Sequence, residues 1–255
     1  MNWLPIKLKL IVFKWKQLEL ALPFTFVLYS YFFMILVFIS PARANDFITS
    51  DAKAKMEIAS NVSSFAYRDQ ARWDDLRALF QKDGIISISW HDGTAESFVE
   101  RSRLMVESGT PPTKHWISAP RITVCGNRAL SEADVIIMVR SFAGPIEVDV
   151  TSYTRFYDQF ELDADGRWRI HKRTGIYERD RLDPVGPSFL FWAAYLFMPL
   201  GKYPKEFRHL AFGLEQNGLS IVPNVVTSGS EAERTLKQNV WEWSGCSKFP
   251  NTKQP

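Results

Sequence analysis

The chain has 255 residues, 46% hydrophobic and 23% charged, a composition typical of a folded globular protein rather than a disordered one. Residues 1–45 hold five basic residues and one acidic residue, which leaves 26 basic and 27 acidic residues in the rest of the chain. The folded part is therefore close to neutral, and this argues against a basic surface for DNA or RNA. Its length allows one sizeable hydrophobic core.

The N-terminal segment predicts membrane targeting. Residues 20–40 form an apolar stretch of 21 residues without a charge, long enough for a helix to span a bilayer core of about 30 Å. Four lysines precede this stretch, so we expect the N-terminus to stay in the cytoplasm and the rest to be translocated. Ala42-Arg43-Ala44 fits a signal-peptidase site. Residues 1–45 are thus a cleaved signal peptide or an uncleaved anchor, with the domain periplasmic, extracellular or membrane-anchored. A true start at Met56, which would leave the protein in the cytoplasm, is the third alternative.

The central part of the chain reads as helices followed by strands. Segments with apolar residues at helical spacing come first, and segments in which apolar and polar residues alternate come later. Gly-Asn, Gly-Pro and Asp-Gly pairs separate these later segments. Connections this short predict antiparallel pairing, and the order of elements predicts an α+β fold with the helices on one face of the sheet. The predicted helices cover residues 51–68, 73–80 and 95–108, and the predicted strands cover residues 85–90, 115–125, 133–142, 146–161 and 167–177.

The strongest local signal is a hairpin turn at Asp165-Gly166, between two alternating runs. In the second run, His171 and Arg173 alternate with Ile170, which predicts that both lie on the outer face of the sheet. The charged exit of this strand predicts a surface network of ion pairs or a dimer interface. Its residues are Arg173, Tyr177, Arg179, Asp180 and Arg181.

A C-terminal helical extension is predicted after the sheet. Residues 188–200 are apolar but too short to span a membrane, and we interpret them as a lid or a membrane-facing helix. Two more helices are predicted at residues 203–216 and 230–243. The expected organisation is therefore a domain at residues 46–186 and an extension at residues 187–255.

The two cysteines, Cys125 and Cys246, show no metal-ligand spacing. We expect two unpaired thiols, and one disulfide is the alternative if the domain is exported. The four histidines are scattered without pairing, and nucleotide-binding and serine-hydrolase motifs are absent. The sequence therefore predicts no metal and no cofactor.

Several motifs occur in an order that resembles the SnoaL-like branch of the NTF2-like superfamily. They are WDDLRALF, ISISWHDG, TKHWISAPRITVCGNRA, VDVTSYTRFYDQFE, DGRWRIHKRTGIYERDRLDPV and YPKEFRHLAF, within residues 55–215. The resemblance implies a cone-shaped α+β barrel, in which a curved antiparallel sheet wraps around helices and leaves a pocket at the wide end. The superfamily includes scytalone dehydratase, polyketide cyclases and ketosteroid isomerase, together with many members without chemistry, so the fold alone does not imply a function.

The resemblance also implies candidate catalytic residues. Asp69 stands four residues before Trp73, and His115 opens the strand after the third helix, as the acid–base pair of the dehydratases does. The carboxylate would orient the imidazole, which would move the proton. The alternatives are that Asp69 caps the next helix and that His115 bonds to backbone.

Three further residues are candidates for substrate contact: Tyr67, His91 and Tyr153. His91 is otherwise a solvated turn residue. The chain departs from scytalone dehydratase, because Arg68 precedes Asp69 and no histidine occurs in residues 148–160.

Two functions follow from this reading. The first is a cofactor-independent lyase or isomerase that acts on a small, mostly apolar cyclic or polyketide-like substrate, with Asp69 and His115 as acid–base residues. The second is a non-catalytic ligand-binding or assembly module that uses the same pocket. A homodimer is expected in both.

Overall fold

The computed structural model of the protein describes residues 41–247, and the predicted apolar segment at residues 20–40 lies outside the described residues. The described residues from Asp51 onward belong to one compact unit, which contains the candidate site. No helix within residues 41–247 is long and apolar enough to cross a membrane.

Helices precede and interrupt the first strands. Helix α1 (Pro41–Ser63) continues into a 3-10 helix (Ser64–Gln70), and α2 (Trp73–Ala78) follows. Strands β1 (Phe80–Ile88) and β2 (His91–Thr94) form a hairpin before α3 (Ala95–Glu107). The helix α3 begins where Thr94 accepts a hydrogen bond from the Ser97 amide, as a side-chain N-cap does.

The later strands are β3 (Thr113–Ile117), β4 (Arg121–Cys125), β5 (Arg128–Ala143), β6 (Ile146–Leu162) and β7 (Trp168–Pro184). The curved, unclosed sheet has eight strands in the described part of the chain, and its central path runs β2-β1-β7-β6-β5-β3. The predicted strand at residues 115–125 is in fact two strands, and both pair with β5. The pairing is not antiparallel throughout, because β1 runs parallel to β7. The predicted α+β fold is confirmed.

The hairpin between β6 and β7 closes as its sequence predicts. Gly166 has φ +76° and donates a backbone hydrogen bond of 2.9 Å to Asp163. Arg169 forms an ion pair with Asp165 at 2.7 Å across the turn. A glycine suits this position because it adopts positive φ without steric cost.

A β-bulge in β7 overturns the prediction for Arg173. The register shifts between Gln159 and Phe160, so that Lys172 pairs with Gln159 and Ile170 with Phe160, and His171 is the extra residue. An extra residue reverses the alternation of side chains. Arg173 is therefore fully buried and pairs with Asp158 at 2.7 Å, whereas His171 is half-buried against Trp243. The charged exit of β7 is thus not a surface network throughout.

The core lies between the helices and the concave face of the sheet. Ile58, Val62 and Phe65 follow one another at helical spacing and are almost fully buried. Phe65 contacts Phe98 of α3 and Phe156 of β6 at ring-centroid distances of 5.9 and 5.0 Å. Burial of each such side chain contributes roughly 1.5–3 kcal/mol, so this packing fixes the position of the 3-10 helix that follows α1.

The C-terminal extension comprises α4 (Phe189–Tyr195), a 3-10 turn (Leu200–Lys202), α5 (Arg208–Gln216), β8 (Val226–Thr227) and α6 (Glu231–Ser244). The predicted helix at residues 188–200 is shorter than expected. Its surface is apolar, and Phe189 and Phe197 are 90% and 87% exposed. Helix α6 is tied to the sheet through Glu233, which accepts a hydrogen bond of 2.8 Å from Arg155.

The expectation of unpaired thiols is wrong, because Cys125 and Cys246 form a disulfide with their Cα atoms 5.5 Å apart. Cys125 ends β4 and Cys246 follows α6, so the bond joins the extension to the sheet across a sequence separation of 121 residues. A separation this long gives no local signal, and only the packing of α6 against the sheet brings the two sulfur atoms together.

We expect replacement of both cysteines with serine to lower the free energy of unfolding by about 2–4 kcal/mol, because the cross-link restricts a long loop in the unfolded chain. Urea denaturation of the variant and of the wild type with and without a reductant measures the effect. Reduced wild type and the variant should share one midpoint. A midpoint that does not respond to the reductant would show that the bond is not formed in solution.

Candidate functional site

Asp69 is held at the C-terminal end of the 3-10 helix. Ala71 follows it with φ +54°, a left-handed conformation that ends the helix, and its amide donates to the Arg68 carbonyl at 3.2 Å. The side chain of Asp69 does not cap α2, whose N-cap residue Arg72 has no side-chain cap. The capping alternative is therefore wrong, and the carboxylate is directed elsewhere.

The carboxylate of Asp69 contacts both the backbone and the side chain of His115. The backbone N–H of His115 donates to Oδ2 of Asp69 at 2.6 Å, and its Nδ1 lies 2.6 Å from Oδ1. His115 is on β3, opposite Ile137, with its side chain on the concave face. The two side chains are only 4% and 7% exposed. Phe65 packs edge-on against the imidazole at 5.3 Å and limits its rotation.

The surroundings of the pair set its protonation. Burial lowers the pKa of His115 below its ordinary value of 6.5, and it outweighs the hydrogen bond and charge of Asp69, which raise that pKa. Burial alone would raise the pKa of Asp69, but the hydrogen bonds and charge of His115 hold it below its ordinary value. The pair at neutral pH is therefore an ionised carboxylate beside a neutral imidazole.

The tautomer of His115 follows from this charge state. An ionised carboxylate only accepts hydrogen bonds, so the proton of the neutral imidazole must be on Nδ1. Nε2 then carries a lone pair, and it makes no hydrogen bond to any residue in the described part of the chain. His115 thus presents an unprotonated nitrogen, as a general base requires.

We expect the imidazole of His115 to titrate below pH 6.5, because its charged form is poorly solvated. NMR titration of the Cε1–H resonance measures this, and Asp69→Asn should lower the pKa further by removing the charge that raises it. The unfolded chain binds the proton more readily than the folded chain does. The contribution of the neutral His115 imidazole to folding stability is therefore present above about pH 6.5 and is lost as the pH falls. A pKa above 6.5 would contradict the assignment.

His115 lines a cavity of about 820 Å³, counting the space at its open mouth. The lining is mostly apolar and includes Phe65, Ile137, Val139 and Phe156. Leu210 and Leu214 of α5 also line it, so the C-terminal extension completes the wall of the cavity.

Most polar groups in the wall of this cavity are uncharged, and they include Ser89, Thr110, Thr113, Ser141 and Asn217. Tyr177 lines it, but its hydroxyl is already engaged, since it donates to Ser89 Oγ at 2.9 Å and accepts from the Ser89 amide at 3.0 Å. Arg68 is the only described lining residue with a permanent charge. Within residues 50–247, no cluster of three or more histidine, cysteine or acidic side chains could hold a metal ion.

The three residues predicted to contact substrate lie outside the lining of this cavity. Tyr67 packs under the guanidinium of Arg72 at 4.1 Å, and Tyr153 packs under Arg179 at 4.7 Å. His91 is not a solvated turn residue but is buried in β2, where its Nε2 lies 3.2 Å from the Thr94 carbonyl oxygen. Their assignment as substrate contacts stays a prediction.

Sequence reasoning missed two buried groups near the site. The first is the Asp158–Arg173 ion pair, whose guanidinium lies 4.8 and 4.2 Å from the ring centroids of Phe65 and Phe156. The positive charge of Arg173 also lowers the pKa of His115, although burial lowers that pKa more. The second is the pair of Asp180 and His209, in which His209 lies within the helix predicted at residues 203–216.

His209 repeats the geometry of His115 elsewhere in the fold. Asp180 accepts from the backbone N–H of His209 at 2.7 Å and lies 2.7 Å from its Nδ1. It also accepts from the Leu210 amide at 2.8 Å, while Nε2 of His209 is occupied by the Tyr195 hydroxyl at 2.8 Å. His209 does not line the cavity. The same bonding pattern therefore fixes the start of α5 and leaves no free base.

The architecture defines a class of protein: a curved sheet that encloses helices and an apolar pocket, with one Asp–His pair at its wall. Residues 51–174 match the family model for the SnoaL-like domain. Over these residues the chain is similar to SnoaL-like domains, which confirms the resemblance that the sequence motifs indicate.

Sequence and structure comparisons find more distant likenesses. An uncharacterized protein of Aspergillus terreus (strain NIH 2624 / FGSC A1156) is 30% identical over 178 residues, 61% of this chain and 62% of that protein. The chain thus matches less than two thirds of that relative's length.

Similar solved structures include a scytalone dehydratase candidate from Novosphingobium aromaticivorans, 18% identical over 56% of this chain and 99% of that chain, with a TM-score of 0.42. LinA is 17% identical over 57% of this chain and 97% of its own, with a TM-score of 0.43.

Proposed function

We propose that the protein is a cofactor-independent lyase or isomerase in which His115 is the general base and Asp69 its positioning partner. The observation that carries this proposal is the doubly bonded Asp69 carboxylate, which leaves Nε2 of His115 unprotonated at the wall of an apolar cavity. The substrate is a small, mostly apolar cyclic or polyketide-like compound with an acidic C–H bond beside a carbonyl group.

In the proposed reaction, His115 both removes a proton from the substrate and returns it, so no other proton donor or acceptor is needed. Nε2 of His115 takes the proton from the carbon next to the carbonyl group, and the C–H electron pair moves toward that carbonyl. The imidazolium is stabilised by the Asp69 charge. In an isomerisation it returns the proton to another carbon. In a dehydration it delivers the proton to a β-hydroxyl group, which leaves as water while the C=C bond forms.

Deuterium exchange tests this proposal before the substrate is known. Cyclic ketones and β-hydroxy carbonyl compounds are incubated with the protein in D2O, and NMR follows deuterium entry beside the carbonyl. We expect the wild type and His209→Ala to catalyse exchange on at least one compound, and His115→Ala to lose it. Exchange that survives in His115→Ala would overturn the assignment. No exchange on any compound, together with binding of apolar ligands, would favour the non-catalytic module.

We also propose that the folded domain lies outside the cytoplasm, anchored by residues 20–40 or released by cleavage after Ala44. The Cys125–Cys246 disulfide supports this location, because such bonds persist in oxidising compartments. Intact-mass analysis after cell fractionation would distinguish chains that begin at Met1, Asn45 and Met56. A cytoplasmic protein with reduced thiols would contradict the proposal.

A homodimer remains part of the proposal. Trp116 and Phe142 are exposed on the convex side of β3 and β5, where a second sheet could cover them. Light scattering of the full chain would decide between a monomer and a dimer.

A further inference from the structure

Two guanidinium groups flank Trp90 without a carboxylate partner. Arg68 lies 5.8 Å and Arg101 5.3 Å from the ring centroid of Trp90. Neither forms an ion pair with an acidic side chain in the part of the chain that the structure describes. The two differ in position, because Arg68 lines the cavity beside His115, whereas Arg101 is exposed and does not line it.

The charge of Arg68 is not neutralised by its neighbour. Asp69 attracts it through space, but both oxygens of that carboxylate already bond to His115. Burial accordingly lowers the pKa of Arg68 below its ordinary value, in spite of the opposing charge of Asp69. A guanidinium stays protonated in proteins even so, and a permanent charge at an apolar wall is costly without a counter-charge.

We propose that Arg68 binds a carboxylate group of the substrate, so that the cavity selects small apolar acids over their neutral analogues. This proposal deepens the function proposed above and rests on it for the reaction that follows binding. The planar guanidinium offers paired N–H donors that match the two oxygens of a carboxylate. The apolar body of the ligand would then lie against Ile137, Val139 and Phe156, with His115 beside it.

Binding of matched acids and amides tests the proposal without turnover. The full-length chain is held in lipid nanodiscs, so that detergent does not compete for the cavity. Isothermal titration then compares benzoate, cyclohexanecarboxylate, 2-naphthoate and 9-anthroate, each with its carboxamide. We expect at least one acid to bind about tenfold or more tightly than its amide, and no amide to be preferred. If no acid binds, or if the amides bind as tightly, the proposal is overturned.

Variants assign the preference to Arg68. In Arg68→Gln the affinity for the acid should be within about threefold of the affinity for its amide. Arg68→Lys should keep part of the preference, because lysine keeps the charge but lacks the paired N–H donors of the guanidinium. Arg101→Gln is the matched control, since it removes the same charge beside Trp90, and it should keep the full preference. A preference that survives in Arg68→Gln, or that disappears in Arg101→Gln, would contradict the proposal.

The two proposals can fail separately. His115→Ala should keep the acid preference, because that residue is not the anion partner, while it loses deuterium exchange. An intact acid preference in a protein that catalyses no exchange would leave Arg68 assigned and would remove only the acid–base function. Once a substrate is known, Arg68→Gln should raise KM more than it lowers kcat, and the reverse split would indicate a role in the transition state instead.

Discussion

Asp69→Asn is expected to lower kcat by about 10²–10⁴-fold on any substrate that the deuterium screen identifies. An asparagine can still accept one hydrogen bond from Nδ1–H of His115, so the ring can remain in place. It cannot supply the negative charge that stabilises the imidazolium after proton transfer. An amide also offers N–H donors, which favour the tautomer with the proton on Nε2 and so block the base.

Asp180→Asn is the matched control for this variant. Asp180 bonds to a histidine ring and to the same residue's amide in the way that Asp69 does, but the ring of His209 does not line the cavity. We expect Asp180→Asn to lower stability and to leave kcat within a few-fold of the wild type. Equal loss of turnover in both variants, measured at a temperature where both are folded, would mean that Asp69 acts only through the fold.

The pH profile separates the same alternatives. Since the pKa of His115 is lowered by burial, kcat/KM should be constant at neutral pH and should fall only on acidification below pH 6.5, as the base becomes protonated. In Asp69→Asn that acidic limb should move to lower pH, because the charge that raises the pKa of His115 is gone. An unchanged limb would assign it to another group.

Much of the fold could be predicted because its signals are local. The alternation of β6 and β7 around Asp165-Gly166 needs only period two and a turn residue that tolerates positive φ. The relation of Asp69 to Trp73 also lies within one short segment, and the family resemblance supplied the link from Asp69 to His115. These features involve neighbours in the chain or a known order of elements.

The features that escaped prediction depend on packing between distant segments. One extra residue at His171 reverses which side of β7 faces the core, and no single residue type marks a bulge of this kind. Cys125 meets Cys246 only after α6 has docked on the sheet. Likewise, Leu210 and Leu214 complete the cavity only because α5 packs over it. In each case the tertiary arrangement decides, and the local pattern is compatible with several outcomes.

Asp158→Asn is expected to lower the free energy of unfolding by about 3–5 kcal/mol, because it leaves the charge of Arg173 buried without its partner. Both side chains of this pair are 0% exposed, and Asp158 accepts from Nε and Nη2 of Arg173 at 2.8 and 2.7 Å. The third guanidinium nitrogen, Nη1, has no hydrogen-bond partner in the described structure, so no other hydrogen bond compensates for the lost carboxylate. Urea denaturation measures the loss as a lower midpoint with an unchanged slope.

Two further variants make the reason for this loss testable. Asp149→Asn removes the carboxylate of the exposed Arg140–Asp149 pair, where water replaces the lost partner, and it should leave the urea midpoint almost unchanged. The double variant Asp158→Leu, Arg173→Met removes both buried charges and should recover much of the stability that Asp158→Asn loses, because apolar side chains of similar volume need no partner. If the double variant is less stable than Asp158→Asn, the ion pair itself is strongly stabilising. Its role is then to hold Phe65 and Phe156 in place, and through Phe65 the ring of His115, rather than merely to satisfy a buried charge.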